Sequence, residues 1–336
     1  MVTFLAAIFV FGLLIISHEM GHFFTAKACG VKVSEFSVGM GPKLFGIKGK
    51  ETNYSLRILP IGGYVKMLGE EEDSKDPRAF CNQGPWRRLV VIIAGAFMNF
   101  VVAIILLTIF NFNVGVYKPI VNKVVPNMPA EKAGLKADDR ITAVNNNSIE
   151  SWEEFISFVD QNKDKDFKLT VDRNGQKLDV TLKPEFDKTA NKYMIGIESK
   201  YVKGSFAESI ADAFRKTNQI VKEIFKFFGF LFQGKISSND VGGPVAIIKM
   251  SGEAAKLGIW NLIMFAAFLS INLGVINLVP FPALDGGWVV ILLIEGITGK
   301  KPNEDKLGIV NLIGFSILMA LAVFITYKDI LKLGSF

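Results

Sequence analysis

Histidine is nearly absent: the 336-residue chain holds two, and both lie in one short stretch, "LLIISHEMGHFF", as His18 and His22. Cysteine is as scarce. Cys29 and Cys81 are the whole complement, which excludes a disulfide framework and leaves two unpaired thiols of no special role. No internal repeat and no low-complexity stretch appears, so a repeat architecture is excluded as well. Basic and aromatic residues do not gather into the footprint of a nucleic-acid binder, and no nucleic-acid partner is expected. The first apolar run also lacks the marks of a signal peptide. No Lys or Arg precedes it and no small-residue cleavage pattern follows before His18, so it reads as a retained span.

What is abundant is apolar. Half the residues are hydrophobic, 29 of them Phe, and the excess is gathered in blocks rather than spread as in a soluble domain. Four blocks approach the roughly 20 residues that cross a bilayer: Val2 to Ile16 running on into the histidines, Leu89 to Phe110, Ile259 to Val279, and Leu307 to Tyr327. The basic residues from Lys27 to Arg88, and Lys300, Lys301 and Lys306, mark two short loops as cytoplasmic. Both termini and the long stretch from Val114 to Leu257 are then expected outside. A net charge of +6 suits a protein lying against anionic lipid.

Between the first two spans, "VSEFSVGMGPKLFGIKGKETNYSLRILPIGGYVKM" alternates β-branched and aromatic residues with polar ones between glycines, which predicts a series of short strands with Gly-containing turns. Gly69 to Pro85, with the acidic run Glu70 to Asp73, reads as a polar connector. After Pro119 the pattern gives a compact soluble module: strand, short helix, strand, a helix opened by a Ser151/Glu154 capping box, and a hairpin turning at Asn174-Gly175. Ser205 to Phe232 predicts an amphipathic helix at the membrane face, and Gly242, Gly243 and Pro244 are expected to break helix before the chain re-enters the bilayer. The predicted parts are therefore residues 1–24, 25–87, 88–113, 114–200, 201–257 and 258–336.

His18 and His22 are four apart, so on a helix their imidazoles stand one turn above the other on one face. That spacing binds one zinc ion, with Glu19 placed to take a proton from water that the ion polarises. The pattern is chemistry for amide hydrolysis. A satisfied core histidine explains a single imidazole, but two around a glutamate at the end of an apolar span must offset several kcal/mol. A catalytic zinc ordinarily takes three protein ligands, and no third histidine exists. The remaining donors are carboxylates and thiolates. One carboxylate stands beside a span in a constrained setting: Asp285 in "INLVPFPALDGGWVV", where Pro280 and Pro282 stop a helix and Gly286 and Gly287 permit a tight turn. Taken alone, that motif is an ordinary interfacial turn. The donor types would also suit iron or cobalt.

Together these residues resemble the site-2 protease family of intramembrane zinc metalloproteases, within it the bacterial regulator of sigma-E protease group. The resemblance rests on His18-Glu19-Met20-Gly21-His22, the Gly-rich strand loop, "AGAFMNF" in the second span, one PDZ-like module and "NLVPFPALDGG". It implies a polytopic α-helical membrane protein with about four transmembrane helices, a membrane-associated β-rich loop and one α+β PDZ-like extracytoplasmic domain. It further implies that His18, His22 and Asp285 ligate Zn2+ near the cytoplasmic face and that Glu19 is the catalytic base. Asn277 and Asn99 match family asparagines, with a substrate role implied for Asn277 and a structural or substrate contact for Asn99. The implied partners are the lipid bilayer and single-span membrane proteins of the anti-sigma factor or remnant signal peptide type. The chain departs from the pattern at Ala96, where relatives commonly carry Pro, and at Asp138 and Asn147, where Gly is commoner. Two rival classes are weaker. A metal transporter would line several spans with polar groups, and a membrane-anchored PDZ scaffold would need none of His18, Glu19, His22 or Asp285.

Overall fold

The computed structural model describes residues 1–70, 74–163, 165–187, 192–235, 242–301 and 303–333. Two compact units emerge, one from Met1–Phe110 with Ile210–Phe336, the other from Asn111–Ser209.

The first unit is built on helices α1 (Val2–Ala28) and α2 (Pro85–Val114), with a strand pair β1 (Val33–Lys48) and β2 (Asn53–Met67) between them in sequence. At 1.5 Å per residue α1 reaches about 40 Å, more than the roughly 30 Å hydrocarbon core of a bilayer. Four helices among the described residues are long and apolar enough to cross a membrane: α1, α2, Ile259–Asn277 and the stretch Lys306–Lys332. Helix α1 can lie close to α2 because Gly21 has no side chain; a Cβ there would stand 2.1 Å from the Ala94 carbonyl oxygen. Ala96 is fully buried, and α2 runs through it without interruption.

The expected series of short strands with glycine turns is there as four paired segments, residues 33–38, 43–48, 53–57 and 63–67, with Gly39, Gly41 and Gly62 at positive φ between them; β1 and β2 each run on through two segments. Glu35–Val38 of β1 have partners on both sides, Gly63–Lys66 on one and Asn53–Leu56 on the other, and residues 53–57 pair in turn with residues 43–48. Two strands thus lie as three ladders side by side. Arg57 pins the overlap: its guanidinium donates to Ser37 Oγ at 3.0 Å, the Gly41 carbonyl at 2.7 Å and Glu35 Oε1 at 3.0 Å. One outer edge of this sheet is the segment Gly63–Met67; the other is formed by residues 43–48.

The second unit contains β3 (Val116–Val124), α3 (Pro129–Lys132), β4 (Arg140–Val144), β5 (Asn147–Ser148), α4 (Trp152–Gln161), β6 (Phe167–Arg173), β7 (Gln176–Leu182), β8 (Glu185–Asp187), β9 (Lys192–Met194) and β10 (Ile197–Val202). Its main sheet has the order β10-β3-β4-β6-β7, with β5 beside β4. Phe155 and Val159 from α4 pack with Ile141, Phe167, Leu169 and Val171 into its core. The capping box is present: Ser151 Oγ accepts the Glu154 N–H, and the Glu154 carboxylate accepts the Ser151 N–H. Asn174 and Gly175 both adopt positive φ (55° and 84°), as the two-residue turn between β6 and β7 requires. Asp138 is left-handed too, at φ 67°. Asn147 is not; the left-handed residues in that turn are Asn145 and Asn146, one step earlier, because Asn147 already pairs in β5.

Back in the first unit follow α5 (Phe206–Phe232), α6 (Pro244–Leu257), α7 (Ile259–Asn277), α8 (Asp285–Thr298) and α9 (Glu304–Leu333). Residues 236–241 lie outside the described ones; the helix break expected at Gly242 and Gly243 is there, since both are non-helical, and Pro244 opens α6 at a first-turn position, where a missing N–H costs nothing. Asp329 near the end of α9 caps α6 by accepting the Gly243 and Ala246 N–H groups, each at 3.0 Å. Only 6% of α9's apolar stretch is buried, against 39% for α2 and α7, so α9 is held at few points, this cap among them.

Asp139 is fully buried in the second unit and takes a two-pronged hydrogen bond from Arg173, at 2.6 and 2.7 Å, besides the Lys136 N–H at 2.8 Å. Burial alone would push its carboxyl up; these hydrogen bonds outweigh it and hold the group below the usual carboxylate range. Stability from a lowered carboxyl is present above the unfolded value and is lost as pH falls through the folded one. Asp139→Asn in the intact protein is therefore expected to weaken hydrogen-exchange protection of β4 and β6 amides at about pH 7 by roughly 2–3 kcal/mol. The gap to wild type should close as pH drops below about 4; an equal gap at both pH values would contradict this account.

Candidate metal centre

Helix α1 carries both histidines on one face, and their Nε2 atoms lie 3.2 Å apart. Asp285 meets them from far along the chain, its Oδ2 3.3 Å from His18 Nε2 and 3.6 Å from His22 Nε2. These are the three groups among the described residues that could share one ion, with all donor atoms within 4.8 Å of one another. Asp285 Oδ2 is buried and makes no hydrogen bond. An orphaned carboxylate oxygen in such a place is costly unless a cation sits against it. Two imidazole nitrogens and one carboxylate oxygen fit zinc with a fourth position open, so the donor set suits a catalytic zinc site.

The tight turn expected at Asp285 is not there. Asp285 is the first residue of α8, and neither Gly286 nor Gly287 needs a positive φ. The glycines serve close packing instead: a Cβ on Gly286 would fall 2.2 Å from the Val279 carbonyl oxygen, and one on Gly287 would fall 2.6 Å from that of Phe281. The left-handed residue is Ala283, at φ 72°, a conformation that costs a non-glycine residue about 1 kcal/mol or more. Strain just before a candidate ligand, with the Ala283 N–H reaching Asn311 Oδ1 at 3.4 Å, marks a backbone forced by its surroundings.

His22 Nδ1 lies 2.9 Å from the Val91 carbonyl oxygen, so Nδ1–H donates and Nε2 keeps its lone pair for an ion. His18 Nδ1 faces two amides, with Asn99 Nδ2 and Asn277 Nδ2 both at 3.3 Å. Glu19 lines the same cavity of about 260 Å³ as the histidines and Asp285, together with Tyr64 and Glu70. All six residues singled out from the sequence thus lie in or against one site. They differ in access: Asn99 is fully buried, Asn277 half-buried.

Sequence reasoning passed over several supports. Gly95 closes the back of the site, where a Cβ would come within 2.3 Å of His22 Nε2 and 2.8 Å of His18 Cε1. Its spacing of four from Asn99, on one helix face, was the available signal. Arg88 and Glu295 form a buried ion pair that ties α2 to α8, the helix that starts at Asp285. A lone glutamate in the apolar run "VVILLIEGI" needs such a partner, and that was legible. Of the acidic run, Glu70 lines the cavity and accepts the Met67 N–H at 3.2 Å; residues 71–73 lie outside the described ones.

The family model for peptidase family M50 matches residues 6–321. The chain belongs to peptidase family M50, the site-2 proteases. It is, on that membership, a zinc metalloprotease. A candidate zinc metalloprotease of Clostridium acetobutylicum is 48% identical over 325 residues, covering 96% of each chain. The regulator of sigma-W protease RasP of Bacillus subtilis is 31% identical over 417 aligned positions, covering 98% of this chain and 99% of RasP. Among solved structures, the PDZ domain of an SdrC-like protein from Listeria innocua is 30% identical across 26% of this chain and 96% of its own, with a TM-score of 0.23.

Because Gly95 leaves no room for a side chain against His22 Nε2, Gly95→Ala is expected to lower zinc affinity of the M50 protease about tenfold or more. Metal content after dialysis, read by mass spectrometry, checks it. Gly12→Ala, where nothing lies within 4 Å of the added carbon, serves as the control and should bind zinc as wild type does.

Proposed function

We propose that this protease cuts peptide bonds within the transmembrane segments of single-span membrane proteins, with His18, His22 and Asp285 holding the zinc and Glu19 moving the proton. The observation that carries the reading is the convergence of His18 Nε2, His22 Nε2 and Asp285 Oδ2 beside Glu19, on helices of spanning length. When bound, zinc polarises water and the scissile carbonyl. Glu19 takes a proton as the water oxygen adds to the carbonyl carbon, and returns it to the amine nitrogen as the C–N bond breaks. Asn277, half-buried at the end of α7, donates its amide N–H to the oxygen on which charge develops, or to backbone freed as the substrate unwinds.

A helical peptide bond is shielded by its own hydrogen bonds, so the substrate must open before it is attacked. The edge Gly63–Met67 suits the opened segment. Gly63, Tyr64, Val65 and Met67 line the cavity, and a Cβ on Gly63 would stand 3.1 Å from Glu19 Cγ. An extended substrate adding there as a strand replaces the backbone hydrogen bonds it lost. The basic loops favour the site near the cytoplasmic face of the cell membrane, with both termini and the PDZ-like module outside. The module then filters substrates by size, admitting those already trimmed. Substrates of the anti-sigma factor or remnant signal peptide type follow from the family, and the name of the Bacillus subtilis relative supports the first.

Glu19→Gln is expected to retain zinc yet slow cleavage of a single-span substrate in detergent by about 10²–10⁴-fold, as loss of a general base does. Unchanged cleavage would dismiss the mechanism. Removal of Pro119 to Pro184 should broaden the range of substrates cut; complete loss of cleavage by a folded deletion protein would contradict the filter.

A further inference from the structure

We infer that Asn99 is a positioning residue: it turns its amide oxygen to His18 Nδ1, accepts the Nδ1 proton, and so fixes the imidazole tautomer that offers Nε2 to the metal. The inference rests on the ligand set proposed above. A neutral imidazole carries one proton, and a ring whose Nε2 lone pair faces a cation must carry it on Nδ1. His22 meets this condition through the Val91 carbonyl oxygen. The His18 ring is less simply held, with the Gly95 carbonyl hydrogen-bonded to it and side-chain amides at Nδ1. Those amides, of Asn99 and Asn277, both end 3.3 Å from Nδ1.

With amide N–H groups directed at Nδ1, that nitrogen is the acceptor and the proton sits on Nε2, pointing at Asp285 Oδ2. That tautomer cannot ligate. Binding a cation at Nε2 requires an oxygen at Nδ1, which an amide supplies by a half-turn about its last bond.

Asn99 can make that turn without losing a partner. Ser17 Oγ lies 2.9 Å from Asn99 Oδ1 and equally 2.9 Å from the Leu14 carbonyl oxygen. In one arrangement the Ser17 hydroxyl donates to Asn99 Oδ1. In the other it donates to Leu14 O and accepts the Asn99 N–H, which leaves Asn99 Oδ1 for His18 Nδ1–H. The Asn99 side chain is fully buried, sealed between Ser17 and His18, and its backbone is held by Ser270 Oγ donating to Asn99 O at 2.8 Å. Such a group does not reach substrate, so of the structural and substrate contacts left open for Asn99 the structural one is favoured, a contact with the ligand behind the metal. Asn277, half-buried beside His18, keeps its amide for substrate.

The test is zinc affinity of the full-length protein in detergent, by competition with a chromogenic chelator, for wild type, Asn99→Leu, Asn99→Asp and Asn277→Leu. Asn99→Leu should bind zinc about 10–100-fold more weakly. Asn99→Asp, which presents an acceptor oxygen in either orientation, should stay within about threefold of wild type, as should Asn277→Leu. Equal affinity of folded Asn99→Leu and wild type would overturn the inference and hand the role to the Gly95 carbonyl or Asn277; so would an Asn99→Asp protein as weak as Asn99→Leu. Wild-type protein that takes up no zinc would instead remove the ligand set itself. Should Asn99→Leu not fold, ¹⁵N-histidine labelling decides, since the chain has just two imidazoles. In zinc-loaded Asn99→Asp the His18 Nδ1–H signal should move downfield while that of His22 stays; a His18 signal that does not move overturns the inference.

Discussion

A carboxylate oxygen buried without a hydrogen bond, facing two imidazole nitrogens, is the constraint around which the helical unit is arranged. Asp285 Oδ2 and the Nε2 atoms of His18 and His22 are drawn together at 3.2–3.6 Å. In an apolar setting three such groups are expensive apart and more so together unless a cation sits between them. The close packing around them follows from that requirement. Gly21 lets α1 approach α2, Gly95 leaves room for the ring nitrogens, and Gly286 and Gly287 let the chain from Leu278 to Pro282 fold onto the first turn of α8. None of these glycines is there for backbone freedom. Each is there because a single carbon atom would occupy space already taken.

A second layer of polar groups sets the first. Val91 O orients His22, the amides at His18 Nδ1 orient that ring, and the buried Arg88–Glu295 pair holds the helix that begins at Asp285. Groups at this distance from a metal fix tautomer and direction, and their loss typically costs about 10–100-fold in affinity. The opposite wall of the cavity is different in kind: the edge of a sheet, Gly63–Met67, beside Glu19. One side of the site is thus built to hold a cation still and the other to receive extended backbone.

Much of this was legible because it is local. His18 and His22 stand four apart on a helix, a relation that needs nothing beyond 3.6 residues per turn, and the Ser151/Glu154 box and the Asn174-Gly175 turn are equally self-contained. Asp285 was legible as a carboxylate in an unusual place, but its setting was misread. Two glycines after an aspartate look like a turn, and only the carbonyls of Val279 and Phe281 packed against them explain why they open a helix instead. The Gly-Gly-Pro break before α6 was legible, but α6 itself was not, although a proline that ends a helix from inside begins one well from the first turn. Pairing of β1 with β2 on both of its sides, and the place of Gly95 behind the imidazoles, depend on contacts between distant segments. Composition and spacing carry no signal of those until the chain is folded.

The central claim is that both imidazoles and the Asp285 carboxylate ligate one ion. X-ray absorption at the zinc K-edge on the full-length protein in detergent tests it most directly. The account predicts one zinc per chain, with two imidazole nitrogens and carboxylate oxygen in its nearest shell, and loss of the oxygen contribution in Asp285→Ala. A zinc shell without imidazole, or one left unaltered by that substitution, would contradict it.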